Sequence, residues 1–303
     1  MVKFILKKGS DHEIFRITKF CSFLTQLLYI CNMQPDWYKD WFNSPYYHLL
    51  YSHRDENEAE FFLTRLIQEL KIVSNARVLD LACGKGRHAI FLSKCGLNVT
   101  GVDLSPNNIK EASAFSNEQL RFFVGDMRNE LKGEKFNYIF NLFTSFGYFD
   151  QDADNLKVLE SVYQMLEPDG LFILDFFNAS KLSNELFVDE SKKIGQIIFN
   201  IHRHSCAKFI EKEIHFEDNG QAFTFTEKVR ALDYSALKNM LDATGLQIIT
   251  TFGSYSLSLF EENHRGYIRV DRQKPFAYVH EEYVYASRSW RLLAQQHFSY
   301  PLE

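Results

Sequence analysis

Apolar residues recur along this chain with two different periods, and the points where the period changes divide it into elements. From Glu56 to Lys71, Ala59, Phe62, Leu63, Leu66, Ile67 and Leu70 fall at helical spacing and predict an amphipathic helix. A buried strand Val78–Ala82 follows, then a glycine turn, a second helix and a second strand that closes at Asp103. Arg121–Val124 reads as a short apolar strand and Phe136–Asn141 as a further buried one. A helix near Asn155–Leu166, punctuated by Pro168-Asp-Gly170, feeds a fifth strand at Leu171–Phe176. Strands alternating with helices in this way predict a doubly wound α/β sheet.

After the fifth strand the alternation breaks. Ile197, Phe199 and Ile201 alternate with polar neighbours, a second run spans Phe209 to Phe216, and Asp218-Asn219-Gly220 makes a turn before Phe223 and Phe225 alternate with threonines. This predicts a small three-stranded antiparallel insertion at about residues 195–230. Its place in the chain puts it above the carboxyl ends of the sheet, where ligands bind in open α/β folds, so it is read as a lid, with a stabilising flap or a dimer contact as the alternatives. The main pattern then resumes with a helix near Tyr234–Thr244, stopped by Gly245, and a strand Leu246–Phe252.

Candidate chemistry concentrates between Arg77 and Ser105. The turn Gly84-Lys85-Gly86 needs residues without Cβ so that backbone can approach a ligand, and Gly84-x-Gly86-x-x-Ala89 taken alone fits a dinucleotide fingerprint as well as a plain tight turn. Asp80, four residues before Gly84, stands where a dinucleotide fold has an apolar residue; a carboxylate there suits a cofactor with a cationic amino-acid end. Asp103 lies 23 positions beyond Asp80, one strand–helix–strand step, where a carboxylate can accept from both hydroxyls of a ribose or merely cap a strand end.

Asp80-Leu81-Ala82-Cys83-Gly84-Lys85-Gly86 resembles the D-x-x-C-G-x-G form of motif I in the class I S-adenosylmethionine-dependent methyltransferases. The likeness extends from about Trp37 to Phe252. It implies a Rossmann-like, seven-stranded doubly wound sheet, with S-adenosylmethionine bound by Asp80, Ala82, Cys83, Gly84, Gly86, Asp103 and Leu104. It further implies that Asp126 bonds the adenine amino group, that Met127 covers the ring, and that the strand ending in Asn141 faces the transferable methyl, with Tyr148 lining the acceptor site as the catalytic candidate. The segment Pro45–Asp55 is similar to the N-terminal part of glycine N-methyltransferase and sugar N-methyltransferases, which implies that Arg54 pairs with the cofactor carboxylate and that Tyr47 lines the site. The family closes its sheet with an antiparallel last strand, for which Gly266–Val270 and Tyr278–Tyr285 are the candidates. Asn141-Leu-Phe-Thr lacks the prolines of an N-P-P-Y motif, which argues against a DNA base or release factor as acceptor.

The implied domain plan is an N-terminal extension at 1–32, a helical segment at 33–72, the cofactor-binding domain at 73–263 and a tail at 264–303. The implied reaction is direct in-line transfer of a methyl group to N or O of a small molecule. Two alternatives remain open: a nicotinamide-dependent Rossmann oxidoreductase and a non-catalytic protein that binds S-adenosylmethionine. His48, His202, His204 and His215 lie in plausible segments, but none is assigned as a base.

Composition narrows the partners. The formal charge of −5 over 303 residues argues against nucleic acid, whose non-specific binding rests on Lys and Arg. Five cysteines (Cys21, Cys31, Cys83, Cys95 and Cys206) show no metal-ligand pairing and no disulfide framework, so no metal is expected and Cys83 reads as a small turn residue. The apolar run Phe20–Ile30 follows basic residues but contains Ser22, Thr25 and Gln26 and is too short to span a bilayer. A cytoplasmic enzyme without membrane attachment is therefore expected, and a functional chain beginning at Met33 is a further reading.

Overall fold

The computed structural model of the chain describes residues 36–52, 56–179, 187–206, 208–261 and 266–273. Its main sheet has the order β10-β11-β5-β4-β1-β2-β3, built from β1 (Arg77–Leu81), β2 (Asn98–Asp103), β3 (Leu120–Val124), β4 (Phe136–Asn141), β5 (Leu166–Phe177), β10 (Leu246–Phe252) and β11 (Gly266–Gln273). Strands β1 to β5 pair in parallel, whereas β11 runs antiparallel to both β5 and β10. Because β2 and β3 lie on one side of β1 and β4 and β5 on the other, the winding reverses between β1 and β4. That switch point opens a crevice at the carboxyl ends of the strands.

The central strands are apolar runs because both faces are covered: Val78, Leu79, Asp80 and Leu81 are all buried. On one face α3 (Glu56–Glu69) and α4 (Arg87–Lys94) bring Phe62, Leu63, Leu66, Ala89 and Leu92 into a cluster with Val78, Val99 and Phe140. On the other face α6 (Asp152–Met165) and α7 (Tyr234–Ala243) pack Leu159, Val162 and Leu237 against β4 and β5. The helix expected from Glu56 and the strand expected at Leu246–Phe252 both form, and β11 takes up the expected Gly266–Val270 strand; Tyr278–Tyr285 lies outside the described residues.

The insertion has four strands rather than three. In the order β6-β7-β8-β9, all antiparallel, it comprises β6 (Phe187–Ile194), β7 (Ile197–Cys206), β8 (Phe209–Asp218) and β9 (Gln221–Arg230). The unforeseen β6 reads Asp189-Glu-Ser-Lys-Lys193 in its middle, with no apolar alternation, because it is an edge strand, where charge discourages pairing with another chain. Phe199, Ile201, Ile214 and Phe216 of this second sheet are buried in the same cluster as Phe172, Leu174 and Phe176 of β5.

Two short helices join the sheets. Helix α1 (Trp37–Phe42) and helix α2 (Pro45–Leu50) meet at Ser44, whose hydroxyl caps α2 by accepting from Tyr46 N at 3.2 Å. Trp41 is fully buried against Phe225 of β9, with ring centroids 4.6 Å apart. Among the described residues no helix is long and apolar enough to cross a membrane.

Candidate functional site

The turn after β1 is built on left-handed backbone at Ala82 (φ 63°), Gly84 (φ 56°) and Gly86 (φ 82°). Gly86 opens α4, and a Cβ there would lie 2.7 Å from the Phe122 ring, so glycine is required by both conformation and space. Gly84 meets nothing within 4 Å; its requirement is the backbone angle alone. Cys83 is buried and burial pushes its thiol well up, which removes it as a nucleophile.

Three aspartates punctuate the strand ends. Asp80 points inward and is 1% exposed; its Oδ2 accepts the Ala89 N–H of α4 at 3.1 Å, and burial pushes its carboxyl up to about 7. It thus pins the glycine turn to the helix from below and does not line the crevice. Asp103 accepts Gly84 N–H at 2.8 Å through Oδ2 and Ser105 N–H at 2.9 Å through Oδ1, with burial raising its carboxyl. Asp126 is held by Arg128, which donates from Nε at 3.0 Å and from a terminal nitrogen at 2.6 Å. Burial raises the Asp126 carboxyl, but the Arg128 guanidinium and backbone N–H more than offset this, and the net shift is downward.

A cavity of about 320 Å³ follows these strand ends in sheet order: Asp126 and Met127 after β3, Asp103 and Leu104 after β2, Ala82 after β1, and Tyr148 after β4. That volume lies within the range of small-molecule sites. Its roof is α1, which contributes Tyr38 and Phe42, together with Asn43 just past the helix end. The corner between α1 and α2 is fastened to the start of α5 (Pro106–Ala112): Ser105 Oγ donates to Asn43 Oδ1 at 2.6 Å, and His48 Nε2 lies 2.7 Å from Asn108 Oδ1. Burial lowers the pKa of His48, which makes it a neutral structural group.

Of the remaining candidates, Tyr47 and Asn141 sit around this cavity rather than in it, whereas Tyr148 lines it. Tyr47 packs its ring against Trp41, Phe42 and Tyr51 and so braces the roof. Asn141 is fully buried; its Nδ2 donates to Leu81 O at 3.0 Å, across β4 to β1, while its Oδ1 has no hydrogen-bond partner among the described residues. Tyr148 donates to Thr144 O at 2.5 Å and sets its ring against Trp37 and Phe42. The loop that carries it holds Phe143 and Thr144 at φ 56° and 58°, strained backbone of the kind found at functional sites. Arg54 lies outside the described residues.

Sequence reasoning missed Arg128 and the α1 roof. The first carries a weak signal, a cation two residues after the acidic strand end; the second shows only as the aromatic cluster Trp37-Tyr-Lys-Asp-Trp41. His202, His204 and His215 lie on the second sheet, where each faces a carboxylate: Asp189, Glu211 and Glu213 respectively. Among the described residues no cluster of His, Cys, Asp and Glu is arranged to hold a metal.

Residues 51–251 match the methyltransferase domain family. By sequence the chain is 30% identical over 234 residues to a glycine/sarcosine N-methyltransferase of Parasynechococcus marenigrum, an alignment covering 72% of this chain and 77% of the relative. It is 29% identical over 234 residues to a glycine/sarcosine N-methyltransferase of Aphanothece halophytica, covering 73% and 83% respectively. Its fold is similar to that of an S-adenosylmethionine-dependent methyltransferase from Clostridium acetobutylicum, with a TM-score of 0.66 and 23% identity, covering 76% of this chain and 96% of that one.

Proposed function

The chain belongs to the methyltransferase domain family and is an S-adenosylmethionine-dependent enzyme, and from that premise we propose that it methylates an amine nitrogen of a small, soluble acceptor. The observation that carries this is the acidic cavity at the strand ends, with Asp126, Asp103 and Ala82 in sheet order along it. Carboxylates suit a ligand with ribose hydroxyls, an exocyclic amine and a cationic amino-acid end, and they oppose a pyrophosphate. The orphaned Asn141 Oδ1, beside Leu81 O, is an acceptor in want of a donor such as an ammonium group.

Asp103 takes two backbone N–H groups and, at 3.4 Å, the Asn108 amide, and keeps acceptor capacity for a ribose hydroxyl, and Asp126, ionised by Arg128, is left as an acceptor for the adenine amine. Met127 and Leu104 supply apolar walls. The bound cofactor supplies an already activated methyl group, so the protein's tasks are alignment of the nucleophile and exclusion of water. Tyr148 borders the acceptor side, and the α1 roof closes the cavity over it. The second sheet, whose Glu227 bonds Trp41 of α1, is read as the cover of the acceptor entrance. A small amine acceptor fits the two relatives that are glycine/sarcosine N-methyltransferases.

Calorimetric titration of S-adenosylmethionine, S-adenosylhomocysteine and NAD tests the cofactor assignment. Asp103→Ala is expected to weaken the two sulfur ligands by about 1–3 kcal/mol, roughly 5- to 150-fold, the scale of hydrogen bonds to a charged group. Preference for NAD would sink the reading. Release of S-adenosylhomocysteine with glycine, sarcosine or an amino sugar then tests the acceptor, and absence of turnover with amines would overturn the amine assignment.

A further inference from the structure

One buried carboxylate outside the cavity gathers donors from three elements. Glu227 of β9 accepts Trp41 Nε1 at 2.8 Å and Tyr51 OH at 2.7 Å through Oε1; its Oε2 accepts Tyr51 OH at 2.9 Å and Lys212 Nζ, from β8, at 3.1 Å. Trp41 belongs to α1, and Tyr51 is the residue that ends α2. The Lys212 and Glu227 side chains are only 15% and 17% exposed. Burial pushes the Glu227 carboxyl up, Lys212 and the two neutral donors pull it down, and the net shift is downward, so it is ionised at neutral pH.

A buried ion pair is a poor device for stability, because the cost of desolvating two charges consumes most of the attraction between them. What this one does have is directionality: it fixes where α1 and α2 lie relative to the second sheet. The fixed segment is the cavity roof. Trp41 is followed by Phe42 and Asn43, both cavity residues, and Asn43 accepts the Ser105 hydroxyl two residues past Asp103. The Trp41–Glu227 hydrogen bond, the run Trp41-Phe42-Asn43 and the Asn43–Ser105 hydrogen bond therefore connect the second sheet to the Asp103 end of the cavity.

We infer that Glu227 is a positioning residue, which by binding Trp41 and Tyr51 holds the α1–α2 roof closed over the cofactor and so makes the second sheet a determinant of cofactor affinity. The inference rests on the proposed cofactor site. It separates two roles of the inserted sheet: covering the acceptor, and setting the height of the roof over S-adenosylmethionine.

The test uses the full chain with Tyr51→Phe and Glu227→Gln. Tyr51→Phe keeps the ring and the Lys212–Glu227 pair and removes the hydroxyl, which donates to Glu227 and accepts from Lys212 Nζ, so it remains informative even where Glu227→Gln, which strands a buried lysine charge, does not fold. S-adenosylmethionine Kd is measured by calorimetry, with near-ultraviolet circular dichroism and Tm as the check of folding, and KM and kcat with the acceptor that turns over. Expected are a 3- to 10-fold weaker Kd for Tyr51→Phe, a loss of 10-fold or more for Glu227→Gln, and a rise in cofactor KM larger than the fall in kcat. Folded Tyr51→Phe that binds within 2-fold of wild type, whatever its Tm, overturns the inference. Wild-type protein that fails to bind S-adenosylmethionine overturns the cofactor site itself, and the inference with it.

Discussion

At the scale of single residues, the two glycines of the turn differ in a measurable way. Gly84 needs only its positive φ, whereas Gly86 needs φ and an empty place beside Phe122. Gly86→Ala is therefore expected to cost about 2–4 kcal/mol in urea unfolding and Gly84→Ala about 1 kcal/mol; equal costs would refute this account of the turn. Asp80 is the second case. Its carboxyl, pushed up to about 7 by burial, favours the protonated form in the folded state, so its contribution is complete below the unfolded value near 4 and is lost as pH rises through 7. Asp80→Asn keeps an acceptor for Ala89 N–H and removes the titration. The stability of the variant relative to wild type should thus rise between pH 4 and pH 8, by up to about 4 kcal/mol, in unfolding curves taken at each pH. A flat difference would mean that Asp80 stays ionised. Its type and spacing were readable from the sequence, but its inward direction was not, because a strand end can present a side chain to either side.

At the scale of elements, helix caps separate local stability from function. Ser105 accepts Asn108 N–H at 3.1 Å as the cap of α5 and also donates to Asn43 of the roof, whereas Asp233 caps α7 by accepting Ala236 N–H at 2.7 Å, far along the chain from the cavity residues. Replacing either by alanine is expected to cost about 1 kcal/mol of stability. Only Ser105→Ala should also weaken S-adenosylmethionine, and a change in Kd with Asp233→Ala would contradict the division. The regular elements were readable because amphipathic period is a local property: Phe62, Leu63 and Leu66 declare the α3 face without reference to their partners. Strand β6 escaped for the opposite reason. Its residues Asp189–Lys193 pair along one edge only and carry no apolar stripe.

For the molecule as a whole, the second sheet is continuous with the main core rather than appended to it. Phe216 touches Phe199, Phe223 and Tyr46 in the cluster that also contains Trp41, Phe172 and Phe176. Phe216→Ala should cost about 3–5 kcal/mol and lower one shared transition, seen at the same denaturant concentration by tryptophan fluorescence and far-ultraviolet circular dichroism; two separate transitions would show an independently folding insertion. By itself the sequence determined the alternation of strands and helices, the glycine turn and the acidic residues at the ends of β2 and β3, because period, left-handed backbone and strand-end chemistry are all written within a few residues of one another. It did not determine which partners those residues take. Tertiary structure alone decided that Asp80 faces α4 and not the crevice, that Arg128 claims Asp126, that α1 becomes the roof, and that Trp41 reaches Glu227 across 186 positions. The physical reason is that pairing between distant groups depends on how the sheets pack, and packing leaves no periodic trace in the chain.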